Sequence, residues 1–215
     1  RLVGHFDPAR VMAEGYDPDV FVDGPLLRAV RDGALLYIEE INRVPEETLN
    51  VLVTVMSERE VTVPRLGRVP AAAGFRLVAA MNPFDAIGTA RISGAVYDRV
   101  CRVAMGYQDA PAEESIVLAQ VAMAGDDIVR RAVGVVRDTR EHGDLVTGSS
   151  VRGAIDMCAI AVELAGLRDT GVSDPAVTLD AALVALSGRV RRRDGVLRST
   201  EDIISELWQR GVVDR

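Results

Sequence analysis

Two adjacent carboxylates, Glu39 and Glu40, follow directly on the apolar run Ala34-Leu35-Leu36-Tyr37-Ile38. Charge at the end of a buried strand is costly unless something offsets it, and a divalent cation is a natural partner. Neighbours on a strand point to opposite faces, so the pair divides its work. One carboxylate can hold Mg²⁺ directly or through water, while the other orients and deprotonates an attacking water. The same pattern also fits two solvated acids where a strand exits. Asn82 closes a second apolar run and is followed by Pro83. A neutral amide there positions a water or a phosphate oxygen without adding charge, although Asn before Pro is also a plain turn former. Arg99, after Tyr97-Asp98, carries a guanidinium suited to neutralising a transferring phosphoryl group, above all one held by a neighbouring subunit. A surface ion pair is its plainer role. Arg152 lies three residues after Ser149 in Thr147-Gly148-Ser149-Ser150-Val151-Arg152, a cap-like helix start. A cation in the first turn opposes the helix dipole, a conflict that a nearby anion resolves. A solvated side chain is the alternative.

The surrounding elements must bring these residues together. The first 23 residues, with Gly4, Pro8, Gly15 and Pro18 and little periodicity, read as irregular loop. Asp23-Gly24-Pro25 opens a short helix over Leu26 to Arg31, with Pro25 tolerated in its first turn, and Asp32-Gly33 ends it. Ala34 to Ile38 reads as a strand buried on both faces, as in a parallel sheet. Ligands of open α/β sheets bind at the carboxyl ends of such strands, where Glu39 and Glu40 fall. Pro45 starts a helix to Ser57, with Leu49, Leu52, Val53 and Met56 on one face. From Arg59 to Arg76, Val61-Thr62-Val63 and then Pro64, Gly67 and Pro70 predict a β-hairpin or projecting loop. Phe75 to Met81 predicts a second strand, Phe84 to Ser93 a loop, Gly94 to Arg99 a short helix, and Val100 to Met105 a third strand. The pattern changes near Gln108 to Pro111. Beyond it, helices are expected at Ala112–Ala124, Asp127–Glu141, Ser150–Leu167, Pro175–Ser187 and Thr200–Arg210. Ser199 with Asp202 resembles an N-terminal cap of the last one, with an acidic partner in place of Glu or Gln. Trp208 is its expected packing anchor.

Composition sets the outer limits. With 48% apolar residues, 215 residues suffice for one or two cores. A net charge of −7 argues against a general nucleic-acid surface. The local cluster of Arg189, Arg191, Arg192 and Arg193 reads as solvated surface. Cys101 and Cys158 lack metal-type spacing and read as small apolar residues of a reducing compartment. His5 and His142 are isolated and read as surface residues. No uncharged apolar stretch reaches membrane-spanning length, and no signal peptide is evident. All 25 basic residues are arginine, so no lysine ammonium is available to grip a phosphate.

Several segments, taken in order, resemble one family. These are Gly24-Pro25-Leu26, Ala34 to Arg43 with its Glu-Glu-Ile-Asn-Arg ending, Val55-Met56-Ser57-Glu58-Arg59, and Leu77 to Pro83 with its Asn-Pro ending. Over roughly residues 20 to 165 the chain is similar to the AAA+ ATPases of the MoxR group. That group includes NirQ, CbbQ and GvpN-like proteins, with the magnesium chelatase ATPase subunit as a relative. The resemblance implies an α/β fold: a partial AAA+ parallel-sheet nucleotide-binding domain over 1–108, followed by an all-α lid domain over 109–215. It implies ATP and Mg²⁺ as cofactors. Glu40 then takes the place of the Walker B glutamate that activates water, Glu39 that of the metal-holding aspartate, and Asn82 that of sensor 1. Arg99 resembles the arginine finger, and Arg152 the sensor 2 arginine. Glu39 departs from the usual Asp by one methylene, which bears on metal geometry. Arg59 to Arg76 resembles the family's insertion hairpin, and Asn42 and Arg43 are assigned to a subunit interface or hairpin support.

The resemblance further implies a homo-oligomeric ring, hexameric by expectation, that remodels or matures a protein client such as one with a von Willebrand factor A domain. Metal-cofactor insertion is one such outcome. A cytoplasmic location is expected, and neither a membrane nor nucleic acid is an expected partner. The family's phosphate loop, Gly-x-x-x-x-Gly-Lys-Ser/Thr, lies upstream of the matching region and has no counterpart in a chain without lysine. The chain is therefore expected to be N-terminally truncated and to bind ATP poorly alone. The alternative is a non-catalytic AAA+ relative acting as an assembly module. Nucleic-acid translocation, suggested only by the arginine cluster, is a minor third reading.

Overall fold

Asp-Pro pairs organise the amino-terminal segment in a computed structural model that describes residues 2–82 and 94–213. Asp7 Oδ1 accepts from the amides of Ala9 and Arg10 at 2.9 and 3.3 Å, with Pro8 at the first helical position, and this starts helix α1 (Pro8–Glu14). Asp17 caps a turn of 3-10 helix at Pro18–Val20 in the same way. Strands β1 (Gly4–Phe6) and β2 (Phe21–Asp23) flank these turns and pair antiparallel, Gly4 opposite Asp23. The irregular loop expected over residues 1–23 is thus corrected. Pro and Asp, read as breakers, act here as helix starts.

Helix α2 (Pro25–Asp32) carries Pro25 at its first turn and ends at Gly33, whose φ of 66° is left-handed. It buries Leu26, Leu27, Ala29 and Val30. Strand β3 (Leu35–Ile38) follows, then a 3-10 turn at Ile41–Arg43 and helix α3 (Glu46–Glu58). Helix α3 buries Leu49, Leu52 and Val55. Val53 and Met56, expected on that face, are only partly buried. The expected hairpin is present as β4 (Glu60–Val63) and β5 (Gly67–Pro70), with Val61 opposite Val69. Strand β6 (Arg76–Ala79) then pairs with β3 in parallel, Leu35 opposite Arg76 and Ile38 opposite Ala79. Leu36, Val61, Val63 and Phe75 join the α2 and α3 residues in one core.

Two expectations about this sheet fail. β3 is not buried on both faces, because Leu35 is 60% and Tyr37 53% exposed. Val100 to Met105 forms no strand, and among the described residues the parallel sheet holds only β3 and β6. Val103 and Met105 stand exposed, without a ladder to join. The short helix expected at Gly94–Arg99 is α4 (Gly94–Tyr97), which stops before Arg99. The loop expected over Phe84–Ser93 lies outside the described residues.

The chain divides into two compact units, Arg1–Ala104 and Met105–Arg215. Tyr107 and Gln108 bond into the second unit. The Arg140 guanidinium lies 3.8 Å from the Tyr107 ring centre, and the Gln108 carbonyl accepts from Arg137 at 3.0 Å.

The second unit comprises α5 (Ala110–Gln120), α6 (Asp126–Glu141), α7 (Val151–Arg168), α8 (Pro175–Leu186) and α9 (Thr200–Val213). It is not purely helical, since β7 (Leu145–Thr147) and β8 (Arg191–Arg192) form a small antiparallel ladder. Its core is built mainly of Val and Ala with Met157, Leu186, Ile203, Ile204 and Leu207. Trp208 is 3% exposed, with the Arg131 guanidinium 3.2 Å from its ring centre. Ser199 and Asp202 cap α9 reciprocally: the Asp202 amide donates to Ser199 Oγ at 3.0 Å, and the Ser199 amide to Asp202 Oδ2 at 3.1 Å. Burial pushes the Cys158 thiol up to about 12, so it stays a neutral thiol. Among the described residues no helix is long and apolar enough to cross a membrane.

Candidate functional site

The parallel register puts the ends of β3 and β6 side by side. Past the paired residues Ile38 and Ala79, the Ala80 amide donates to the Ile38 carbonyl at 2.9 Å, and the Ile41 amide donates to the Ala80 carbonyl at 3.0 Å. Glu39 and Glu40 occupy the turn between those two bonds, and Asn82 follows two residues after Ala80. The acidic pair and the amide therefore lie at neighbouring strand tips. All three side chains are exposed.

The two glutamates do not alternate across a strand, as expected from sequence, because β3 ends at Ile38. Glu40 adopts φ 50° and ψ 48°, a left-handed conformation rare for a residue with a Cβ. Such conformations persist where the surroundings hold them, and they gather at functional sites. Here the 3-10 turn that follows holds Glu40. The Arg43 amide donates to the Glu40 carbonyl at 2.7 Å, and the Glu40 carboxylate pairs with Arg43 at 3.0 Å. Both side chains are over half exposed, so this pair contributes at most about 1 kcal/mol and is readily exchanged. Glu39 makes no hydrogen bond or ion pair with any described residue. Ile41 and Asn42 turn inward, and the 7% exposed Asn42 leaves its Oδ1 without a donor. An amide oxygen buried so close to Glu40 is costly unless paired.

Arg99 sits just past α4. Its Nε donates to Ser57 Oγ at 2.5 Å and its Nη1 to the Ala95 carbonyl at 2.7 Å. These bonds fix the guanidinium against the last turn of α3 with neutral partners rather than in an ion pair. Arg152 belongs to the second unit, in the first turn of α7 behind Ser150, and is exposed. Its side chain makes no hydrogen bond or ion pair with a described residue, so the conflict with the helix dipole is not resolved within the unit.

Among the described residues no three His, Cys, Asp or Glu side chains converge on one point, which excludes an all-protein cage there. Mg²⁺ beside nucleotide phosphates needs only one or two carboxylates, with water and phosphate oxygens completing the shell. The unengaged Glu39 meets that demand.

Sequence reasoning missed two features. The hairpin tip is fastened by Arg65, whose guanidinium lies 3.6 Å from the Tyr16 ring centre, and Tyr16 stacks edge-on against Phe6 at 5.1 Å. In the second unit, Glu113 is 1% exposed and takes Arg140 in a two-pronged pair at 2.7 and 3.3 Å, with Arg137 at 3.2 Å. A Glu in the first turn of a helix reads as an ordinary dipole partner. Only the packing of α6 against α5 reveals its burial.

Residues 2–100 match the family model of the AAA domain (dynein-related subfamily), a little under half of the chain. An uncharacterized protein of Staphylococcus aureus strain USA300 is 32% identical over 159 residues, covering 71% of this chain and 60% of the relative. An uncharacterized protein of strain NCTC 8325 is 31% identical over the same length and shares. The matched region thus spans about 60% of the length of these curated relatives. Among solved structures, a candidate ATPase of Cytophaga hutchinsonii is 19% identical with a TM-score of 0.41, covering 97% of this chain and 72% of its own. A complex between subunits BchI and BchD of magnesium chelatase gives 24% and 0.35, covering 94% and 68%. Both scores lie under 0.5, and neither likeness carries the fold. The chain is an α/β unit, residues 2–100 of which match the AAA domain model, followed by a helical part.

Proposed function

We propose that this chain is the hydrolysis-and-lid portion of a MoxR-type AAA+ ATPase that works in the cytoplasm. It assembles into a homo-oligomeric ring, hexameric in the family it resembles, and uses ATP to remodel or mature a protein client. A von Willebrand factor A domain protein is the client class proposed, and cofactor insertion into it one outcome. The observation that carries the reading is the meeting of Glu39, Glu40 and Asn82 at adjacent parallel strand tips, in a stretch that matches the AAA domain family. Ligands of parallel α/β sheets bind at that end.

In this reading Glu40 accepts the proton of the attacking water as its oxygen bonds to the γ-phosphorus and the bond to ADP breaks. Glu40 leaves its exposed pair with Arg43 to do so, at small cost. Asn82 orients the water or a phosphate oxygen. Arg99, steadied by Ser57, neutralises charge on the phosphoryl group held by a neighbouring protomer. Arg152 reads the nucleotide. Glu39 would hold Mg²⁺, which supplies charge neutralisation on the phosphates when bound.

No lysine is present, so a phosphate loop of standard form has to come from outside these 215 residues. The 215-residue chain is accordingly expected to bind ATP weakly, and micromolar affinity measured for it would contradict this. The decisive experiment compares Glu40→Gln with the unchanged full-length gene product. ATP binding is expected to persist while hydrolysis falls about 100-fold or more. Equal hydrolysis by both proteins would instead support the assembly-module reading.

A further inference from the structure

We propose that Arg140 is a positioning residue for the start of α7, and through it for Arg152. Its guanidinium, only 11% exposed, meets three separate segments of the second unit. Two nitrogens grip the buried Glu113 carboxylate on α5, at 2.7 and 3.3 Å. The third, Nε, donates to the Ser149 carbonyl at 2.8 Å, immediately before the α7 cap. The flat face of the group stacks on Tyr107, 3.8 Å from the ring centre, in the segment that leads from the first unit into α5. All three nitrogens of the planar fork donate, and a guanidinium so held cannot shift without disturbing all three segments.

The loop before α7 reinforces this link. The Ser149 amide donates to the buried Thr139 hydroxyl at 2.9 Å, so both backbone groups of Ser149 are fixed by successive residues of α6. Gly148 lies directly on that turn: a Cβ there would stand 2.6 Å from the Arg140 N and Cα. Gly153 allows equally close approach, since its Cβ would fall 2.1 Å from Ser149 Oγ and 2.8 Å from Leu186 Cδ2. Arg152 stands between Gly153 and the Ser150 cap, so the direction in which α7 presents it follows from where Arg140 holds Ser149. A displacement of the Tyr107 segment thereby reaches Arg152 through a single side chain. The consequence for hydrolysis rests on the nucleotide-reading role proposed for Arg152, whereas the positioning does not.

The test has two arms. In the 215-residue chain, Arg140→Lys keeps the charge but loses the fork and the bond to Ser149. Hydrogen exchange at the Ser149 and Gly153 amides is expected to rise about ten-fold, with the α8 amides of Ala181 and Ala182 unchanged. If Arg140→Lys does not fold, Tyr107→Leu, which alters an exposed ring and leaves Glu113 in place, is expected to give a several-fold rise at the same two amides. Unchanged exchange in the folded variant, or a uniform rise across α8 as well, overturns the positioning. In the full-length gene product, steady-state ATP hydrolysis is measured for the same variant, for Arg152→Ala, and for the two combined. A positioning role predicts that the variant's several-fold loss vanishes once Arg152 is absent. Multiplying losses would show that Arg140 acts on hydrolysis without Arg152 and overturn that part. Unaltered hydrolysis by Arg152→Ala alone would overturn the nucleotide-reading role, while the exchange result still decides the positioning.

Discussion

The Ile41 amide donates to the Ala80 carbonyl at 3.0 Å, beyond the last paired residues of β3 and β6. That bond fastens the turn bearing Glu39 and Glu40 to the strand end bearing Asn82. It also demands the left-handed backbone at Glu40, because the chain must fold back within two residues of Ile38.

The strain at Glu40 separates stability from activity. The left-handed region costs a residue with a Cβ about 1–2 kcal/mol. Glycine removes that cost but gains about 0.5–1 kcal/mol of unfolded-state entropy. Glu40→Gly is expected to stabilise the first unit by up to about 1 kcal/mol in urea unfolding. The same change in the full-length gene product is expected to abolish hydrolysis. A loss of stability would show that the turn does not strain Glu40.

Gly74 permits a close approach within the first unit. Its Cβ would stand 2.5 Å from the Gly33 carbonyl oxygen, where the end of α2 meets the lead into β6. Backbone on both sides cannot yield as a side-chain tip would. Gly74→Ala is expected to cost about 1–3 kcal/mol, read as a lower midpoint in chemical denaturation. Gly94→Ala, with no atom of the described residues within 4 Å of its Cβ, serves as the control.

Glu113 is the buried charge of the second unit, and removing it strands two arginines. Glu113→Ala is expected to destabilise that unit by about 3–5 kcal/mol. Glu113→Gln, which keeps the shape and one set of hydrogen bonds, should cost less. Calorimetry of the 215-residue chain resolves the order, and equal melting of Glu113→Ala and the parent would contradict the buried pair.

The α9 cap carries a pH dependence. Hydrogen bonds from the Ser199 side chain and then its amide hold the Asp202 carboxyl below its ordinary value, and the Arg198 hydrogen bond does the same for Glu206. Depressed carboxyls stabilise the fold above their unfolded values of about 3.9 and 4.3, and that stability is lost as pH falls through the lower folded values. The melting temperature is therefore expected to drop between pH 5 and pH 3 (roughly, from those values). Ser199→Ala is expected to cost about 1 kcal/mol at neutral pH and to flatten part of the acid slope. Identical profiles for variant and parent would exclude the cap as its source.

Much of the second unit was legible because its signals are local. A Ser with Asp three residues later, Asp before Pro, and apolar residues at helical spacing act within one or two turns, and α5 to α9 start and stop within a few residues of expectation. The first unit was harder to read. Asp7-Pro8 and Asp17-Pro18 carried cap signals, yet the frequency of Gly and Pro around them suggested loop. Val100 to Met105 had strand-forming residues, but a strand exists only with a neighbour to pair with.

The sequence alone determined which residues could do chemistry: two adjacent acids after an apolar run, an Asn before Pro, arginines at defined places, and no lysine. It marked the two apolar runs that end in the acids and in the amide as strands, but the parallel pairing was inferred from a two-sided burial that β3 does not have. Tertiary structure decided what depends on contacts distant in the chain. The Ile38–Ala79 register brought Glu40 and Asn82 to one edge, the Ala80 bond forced Glu40 left-handed, and the packing of α5 on α6 buried Glu113 between Arg137 and Arg140. Register, burial and backbone strain arise only when separate segments meet, so no local pattern encodes them.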